Sequence, residues 1–230
     1  MGMPPGASGR DQVLASVRRA LGRKGEAPEP EAVTARLARP QQNTIPMRAQ
    51  LQQPELTELF LSMAADAQAT VVRLPSRERV PAAVADFCRE HGLSAQAVIA
   101  PASPLADLDW STGGVAVETR AVRSGDPVAL ATAAAGIAET GTLALLSGPE
   151  NPVTGNFLPD NHLVVLEERD LLGTPEDLWA MLRERGLPLP RTVNWITGPS
   201  RSGDIEMTML MGAHGPIRLH ILFVDAGSGA

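Results

Sequence analysis

The sequence predicts an α/β fold of three layers, a mostly parallel sheet with helices on both faces. Two observations carry this. From residue 54 onward, segments with a helical apolar period alternate with short apolar runs of strand length. Those runs, such as AVIA (97–100), TLALL (142–146) and HLVVL (162–166), are almost continuously apolar, the pattern of strands covered on both sides. A chain of 230 residues, 43% of them hydrophobic, is long enough to bury one such core.

The elements follow in order. Residues 1–53 read as an N-terminal arm, in which DQVLASVRRAL (11–21) spaces Val13, Val17, Ala20 and Leu21 as one short amphipathic helix stopped by Gly22. From Gly25 to Gln53 the chain is rich in Pro, Ala, Gln and Glu without a sustained period, which reads as an extended linker. Residues 54–230 read as the α/β domain. PELTELFLSMAADAQA (54–69) puts Leu56, Leu59, Phe60, Met63 and Ala67 on one helical face, and TVVRL (70–74) is a β-branched strand. RERVPAAVADFCREHG (77–92) is a helix with a glycine stop, followed by the AVIA strand. GVAVETRA (114–121) alternates as a strand, DPVALATAAAGIAE (126–139) reads as an Ala-rich helix, and GTLALLS (141–147) as a buried strand. HLVVLEE (162–168), TPEDLWAMLRERG (174–186), VNWIT (193–197) and RLHILFVD (218–225) complete the series as strand, helix, strand and strand.

Composition excludes several function classes. A net charge of −6 and a few aromatics without interleaved basic residues give no footprint for nucleic acid. Charge is uneven: residues 1–50 hold eight Lys or Arg against four Asp or Glu, so the arm is basic and the body acidic. Cys88 is the only cysteine, so this chain alone builds no disulfide framework, thiolate zinc cage or iron-sulfur cluster, and any redox metal belongs to a partner. No run approaches the ~20 apolar residues of a membrane span, and no contiguous apolar core of a signal peptide opens the sequence. A cytoplasmic protein is the expectation.

Three stretches of turn chemistry interrupt the apolar runs of the final third: GIAETGTLALL (136–146), ITGPSRSGDIE (196–206) and GAHGP (212–216). They gather Gly, Pro, hydroxyls, His, Arg and carboxylates at strand ends, where open α/β sheets place ligands. In the first, Glu139 sits at the expected C-terminus of the Ala-rich helix, facing the negative end of its dipole. Either Glu139 is a ligand-facing acid, base or nucleophile, with Thr140, Gly141 and Thr142 beside it, or this is a surface turn whose Glu bonds nearby amides. The second stretch runs from a strand through Thr197, Gly198, Ser200, Arg201 and Ser202 to a helical turn expected near Asp204. Its amides, hydroxyls and guanidinium suit a phosphate or carboxylate. The alternative is a plain turn in which Ser202 or Asp204 caps the next helix and Arg201 pairs Asp204 or Glu206. Neither the G-x-x-x-x-G-K-[ST] nor the G-x-G-x-x-G spacing is present, so nucleotide binding lacks support.

His162, opening a strand, and His214, between Gly212 and Gly215, suit proton transfer or carboxylate binding, whereas His220 between Leu219 and Ile221 reads as a strand residue. No metal-ligand spacing occurs, and without a G-x-S-x-G elbow an acyl-hydrolase triad is disfavoured.

The order of GIAETGT, then LP-x-x-H before a Val-Val strand (Leu158, Pro159, His162, Val164, Val165), then ITGPSR-x-x-DIE, G-x-HGP and LHILFVD, resembles the LUD domain family, in particular its lactate utilization protein C (YkgG-like) branch. VLASVRRALG (13–22) is similar to the short N-terminal helix of that branch, and Ser202-Gly203 stands where the family pattern has Thr-Ala. The resemblance is strong over 136–225 and weaker over 54–135. It implies a fold similar to the NagB/RpiA/CoA transferase-like superfamily and a place in bacterial oxidation of L-lactate to pyruvate beside two iron-sulfur partner subunits. It also leaves open a stand-alone CoA-transferase-like or sugar-phosphate-isomerase-like enzyme using Glu139.

Overall fold

The computed structural model describes residues 8–22, 44–186, 189–202 and 210–226, together with Glu31, Ala35, Arg36 and Arg39. The chain divides into two units, Met1–Asn43 and Thr44–Ala230. In the first, helix α1 (Gly9–Ala20) opens with a capping box: the Ser8 hydroxyl accepts from the Asp11 N–H, and the Asp11 carboxylate accepts from the Ser8 N–H. Arg18 and Arg19 lie in its last turn, where the dipole favours cations. This helix buries none of its residues, so the apolar stripe of Val13 and Val17, with Leu21 just beyond it, is exposed. Much of the linker expected over Gly25–Gln53 lies outside the described residues; within the second unit, Met47–Ala49 form a 3-10 turn with Ala49 buried.

The second unit is built on a six-stranded, wholly parallel sheet. Its strands are β1 (Thr70–Leu74), β2 (Gln96–Ile99), β3 (Ala116–Thr119), β4 (Ala129–Thr132), β7 (Asn161–Glu167) and β12 (Arg218–Val224), in the order β1-β12-β7-β4-β2-β3. The last strand of the chain therefore inserts between β1 and β7. Both neighbours shield it, and Ile221, Leu222 and Phe223 are fully buried, as continuous apolar runs in parallel strands require. One face of the sheet is covered by helix α3 (Val80–Glu90), whose Val80, Val84, Phe87 and Cys88 pack on Leu130, Leu163, Val165 and Leu222. The other face receives helix α2 (Glu55–Asp66), whose Leu56, Phe60 and Ala64 join Val164, Leu166, Ile221 and Phe223.

One expected element is corrected. DPVALATAAAGIAE is not a helix: it is two strands, β4 and β5 (Ala135–Ile137). The chain changes sheets between them, since the Ala133 N–H still donates to Val165 O of β7 while the Ala134 N–H donates to Ala144 O of β6 (Thr142–Leu146). Alanine favours helix by propensity alone. Here burial wins, because Ala129, Ala131, Ala133 and Ala135 are each at most 5% exposed and only small side chains fit where two sheets meet.

The second sheet has four strands in the order β8-β5-β6-β9, with β8 at Leu171–Leu172 and β9 at Val193–Ile196. β6 runs antiparallel to both β5 and β9, whereas β5 and β8 are parallel. Helix α4 (Pro175–Glu184), capped by Thr174 and Asp177, packs Leu178 and Leu182 on Ala135, Ile137 and Ala144. Thus the α/β class and the mostly parallel sheet with helices on both faces hold, and a smaller mixed sheet is added. Arg201–Ser202 and Leu210–Met211 form a short antiparallel pair, β10 and β11. The helical turn expected near Asp204 lies outside the described residues.

Candidate functional site

A cavity of about 260 Å³ opens at the amino ends of β7 and β12. Its size falls just under the roughly 300–1,000 Å³ of pockets for drug-sized ligands, so a smaller molecule suits it. Ligands of open parallel sheets usually sit at the carboxyl ends of the strands; this cavity takes the opposite edge, where the loop after β9 folds over the sheet. Leu219 and His162, neighbours across β12 and β7, and Pro216 supply buried lining. Ile196, Thr197, Gly198 and Pro199 form the wall that leaves β9. Phe157, Trp195, Arg201 and His214 are exposed lining residues, and Trp195 is tilted against Trp179 with ring centroids 5.9 Å apart.

Two glycines fix this geometry. Gly198 has φ +71°, and a Cβ there would overlap the carbonyl oxygen of Ala67 at the end of α2. Gly141, with φ +62° in the β5–β6 hairpin, meets the backbone of Met63 and Ala64 in the same way. Both loops flagged by the sequence are therefore seated on the last turn of one helix. A chain of hydroxyls joins them: Thr140 Oγ1 lies 2.6 Å from Thr142 Oγ1, which lies 2.6 Å from Thr197 Oγ1 on the cavity wall.

Ser200 ties the third stretch in. Its N–H donates to Pro216 O and its carbonyl accepts from the Gly212 N–H, both at 2.9 Å, while its Oγ accepts from the His214 N–H at 3.3 Å. That leaves the Ser200 O–H as a donor. Arg201 forms no ion pair among the described residues, so its guanidinium is a free cation beside the cavity within that set.

His162 is 0% exposed, and both its ring nitrogens lack a hydrogen-bond partner among the described residues. Burial pushes its imidazole down to about 4, so the ring is neutral at pH 7. Asn156, 1% exposed at the end of a 3-10 turn (Val153–Asn156), lines the same cavity with Oδ1 and Nδ2 equally unpartnered. Charge recognition thus falls to Arg201, because His162 is neutral and fully buried behind the cavity wall.

Of the residues singled out by sequence, the fold brings His162, Thr197, Gly198, Ser200, Arg201, His214 and Gly215 to the cavity. Gly212 and the pair Thr140 and Thr142 stand behind it, bonded to lining residues directly or through one hydroxyl. Ser202 belongs to β10 and Gly141 to the hairpin, and neither lines the cavity. Glu139 is half-buried in the hairpin, donates its N–H to Gly173 O and is not a lining residue. No helix precedes it, so the unfavourable dipole expected for it does not arise. Asp204 and Glu206 lie outside the described residues. Sequence reasoning missed Asn156, Phe157 and Trp195. Asn156 sits in NPVTGNFLPDN, a stretch of turn formers in which nothing separates a ligand-facing Asn from one that shapes the turn. Among the described residues, no group of three or more His, Cys, Asp or Glu is placed to hold a metal, and no helix is long and apolar enough to cross a membrane.

The chain is similar to known proteins over this whole unit. A lactate utilization protein C from Geobacillus sp. is 34% identical over 91 residues, 38% of each chain, and one from Exiguobacterium sp. is 31% identical over 121 residues, 51% of this chain and 52% of the relative. These matches thus span about two fifths to one half of those relatives' length. The uncharacterized protein YkgG of Escherichia coli is 28% identical over 94% of this chain and 98% of its own. A crystal structure of a DUF162 family protein from Deinococcus radiodurans superposes with a TM-score of 0.54 at 22% identity, covering 76% of this chain and 99% of that one, which shows the shared fold. The model of the LUD domain matches residues 57–224, from the first turn of α2 to the end of β12, and the chain belongs to the LUD domain family.

Proposed function

We propose that this protein is a carboxylate-binding subunit that takes part in the oxidation of L-lactate to pyruvate together with iron-sulfur partner proteins. The observation that carries the binding role is the cavity itself: an Arg201 without an ion pair among the described residues and the Ser200 hydroxyl both line it. A guanidinium and a hydroxyl donate to a carboxylate with charge-assisted strength. The names of the relatives, lactate utilization protein C, support the pathway. Iron-sulfur partners would supply the electron-accepting chemistry. This chain's lone thiol, Cys88, is buried in α3 with burial pushing it up, and its residues bind and orient the small acid.

The test is a thermal-shift titration of the full chain with L-lactate, pyruvate, acetyl-CoA and sugar phosphates, because a ligand of the native state raises stability by mass action. L-lactate or pyruvate is expected to raise Tm, and Arg201→Ala to weaken that binding by about 1.5 to 3 kcal/mol, the range of a hydrogen bond to a charged group. An unchanged affinity in Arg201→Ala overturns the assignment. The hydroxyl chain that starts at Thr140, the residue after Glu139, and ends at Thr197 on the cavity wall favours a second reading, in which Glu139 serves a CoA-transferase-like or sugar-phosphate-isomerase-like reaction. Turnover of a CoA thioester or sugar phosphate by the chain alone, abolished in a folded Glu139→Gln variant, would replace the first reading by the second.

A further inference from the structure

The chain has three Trp, four Phe and no Tyr. Phe60, Phe87 and Phe223 are buried in the core, and Trp110 is half-buried with its indole N–H donating to Leu105 O. The three exposed rings, Phe157, Trp179 and Trp195, gather at one opening. Phe157 and Trp195, 44% and 38% exposed, line the cavity; Trp179 does not line it and is tilted against Trp195, which it braces. A ring left exposed loses the burial that would stabilise the fold, and exposed apolar surface collected at one concave place marks a binding surface.

The rings lie beside the polar wall. The position a Cβ of Gly215 would take is 3.7 Å from Ser200 Oγ and 3.9 Å from Phe157 Cδ1, so the hydroxyl and the ring edge are no farther apart than those two distances together. Arg201, the next residue after Ser200, is exposed and lines the same cavity. Size points the same way. At ~30 Å³ per water molecule, the cavity of about 260 Å³ corresponds to roughly nine water-sized groups. A three-carbon acid leaves part of that space and the aromatic rim uncovered. Aromatic faces also attract cations, but Arg201 already supplies the positive charge here, so the matching partner is a ring that carries an anion. We infer that the cavity takes an aromatic carboxylate, with its anion at Arg201 and Ser200 and its ring against Trp195 and Phe157. This rests on the carboxylate-binding reading above and deepens it.

Calorimetric titration of the full chain at neutral pH with phenylacetate, acetate and phenylacetamide tests it. Acetate lacks the ring, and phenylacetamide keeps the ring but lacks the charge. Phenylacetate is expected to bind at least about tenfold more tightly than either, since burying a ring of this size and a charge-assisted contact each contribute about that factor or more. Arg201→Ala should bring phenylacetate to the level of phenylacetamide, whose own affinity changes less than about threefold. Trp195→Leu, which keeps an apolar side chain and removes the ring, should weaken phenylacetate at least about fivefold while acetate changes less than about threefold. Phe157→Leu serves as the second variant should β9 not accept leucine. A smaller advantage of phenylacetate over acetate, or unchanged phenylacetate affinity in both leucine variants, overturns the inference and leaves the carboxylate site standing. Phenylacetamide binding as tightly as phenylacetate, or binding of none of the three by the wild-type chain, overturns both.

Discussion

Replacing Gly198 by alanine is expected to destabilise the chain by about 2 to 5 kcal/mol. Two costs add: an L-residue in the left-handed region loses roughly 1–2 kcal/mol, and forcing an extra carbon against a packed backbone typically costs about 1–3 kcal/mol more. The second cost is specific to this position, because the added Cβ overlaps the Ala67 carbonyl, a backbone atom that has no rotamer to escape by. Two other glycines separate the contributions. Gly114 has φ +66° with no atom within 4 Å of its Cβ position, so Gly114→Ala carries the conformational cost alone. Gly148 has neither a positive φ nor a close neighbour, and its alanine variant should lie within about 1 kcal/mol of the wild type. Urea unfolding midpoints should rank Gly148→Ala, Gly114→Ala and Gly198→Ala in order of increasing loss. If Gly198→Ala loses no more than Gly114→Ala, the loop is not seated on α2. Because Gly198 also lines the cavity, a loop that backs away from Ala67 distorts the ligand wall, and carboxylate binding should weaken together with stability.

That coupling explains which parts of the site were legible in the sequence. Gly198, Pro199 and Arg201 stand out because a strand that ends in such a loop has few structural uses other than aiming backbone and side chain at something. The strands were legible for a similar reason: TVVRL matches β1 residue for residue, and RLHILFVD contains β12, since continuous apolar runs of β-branched residues and leucine have little choice once buried. DPVALATAAAGIAE misled because local propensity and tertiary demand point in opposite directions. Alanine is a helix former in isolation, yet between β4 and β5 its value is its small volume where the chain passes from one sheet to the other. The true neighbours of the cavity were partly hidden for a topological reason. β12 is last in sequence but lies beside β7 in space, so His162 and Leu219, 57 positions apart, meet at the cavity through a pairing that local periodicity does not report. Asn156 was silent because its burial, rather than its identity, is what distinguishes it.

Acidification from about pH 6.5 to about pH 5 is expected to remove a few kcal/mol of stability before most carboxylates protonate. The sources are two buried imidazoles. Burial pushes His162 down to about 4, and burial, followed by the nearby His91, pushes His220 to about the same value. His220 is held by Thr70 Oγ1 at 2.7 Å from its Nδ1 and packs on the Phe87 ring with centroids 4.9 Å apart. An imidazole free in the unfolded chain titrates near 6.5. Between the two values the unfolded chain binds more protons than the folded one, so stability is complete above about pH 6.5 and is lost as pH falls toward 4. Each ring contributes roughly 2 to 4 kcal/mol over that window, a large share of the ~5–15 kcal/mol that holds a typical domain. Asp126, held below its ordinary range by Arg120, loses its contribution only at lower pH, and Asp170, pushed up by burial, acts in the opposite direction. The histidines therefore own the window. His162→Leu should flatten the dependence by about half and, because it removes two unpartnered nitrogens from a buried position, should not lower stability at neutral pH. Urea midpoints of wild type and variant at about pH 7 and about pH 5 decide it. Equal losses in the two chains would mean that the His162 ring is not held neutral in the core, and the assignment of charge recognition at the cavity to Arg201 alone would lose its basis.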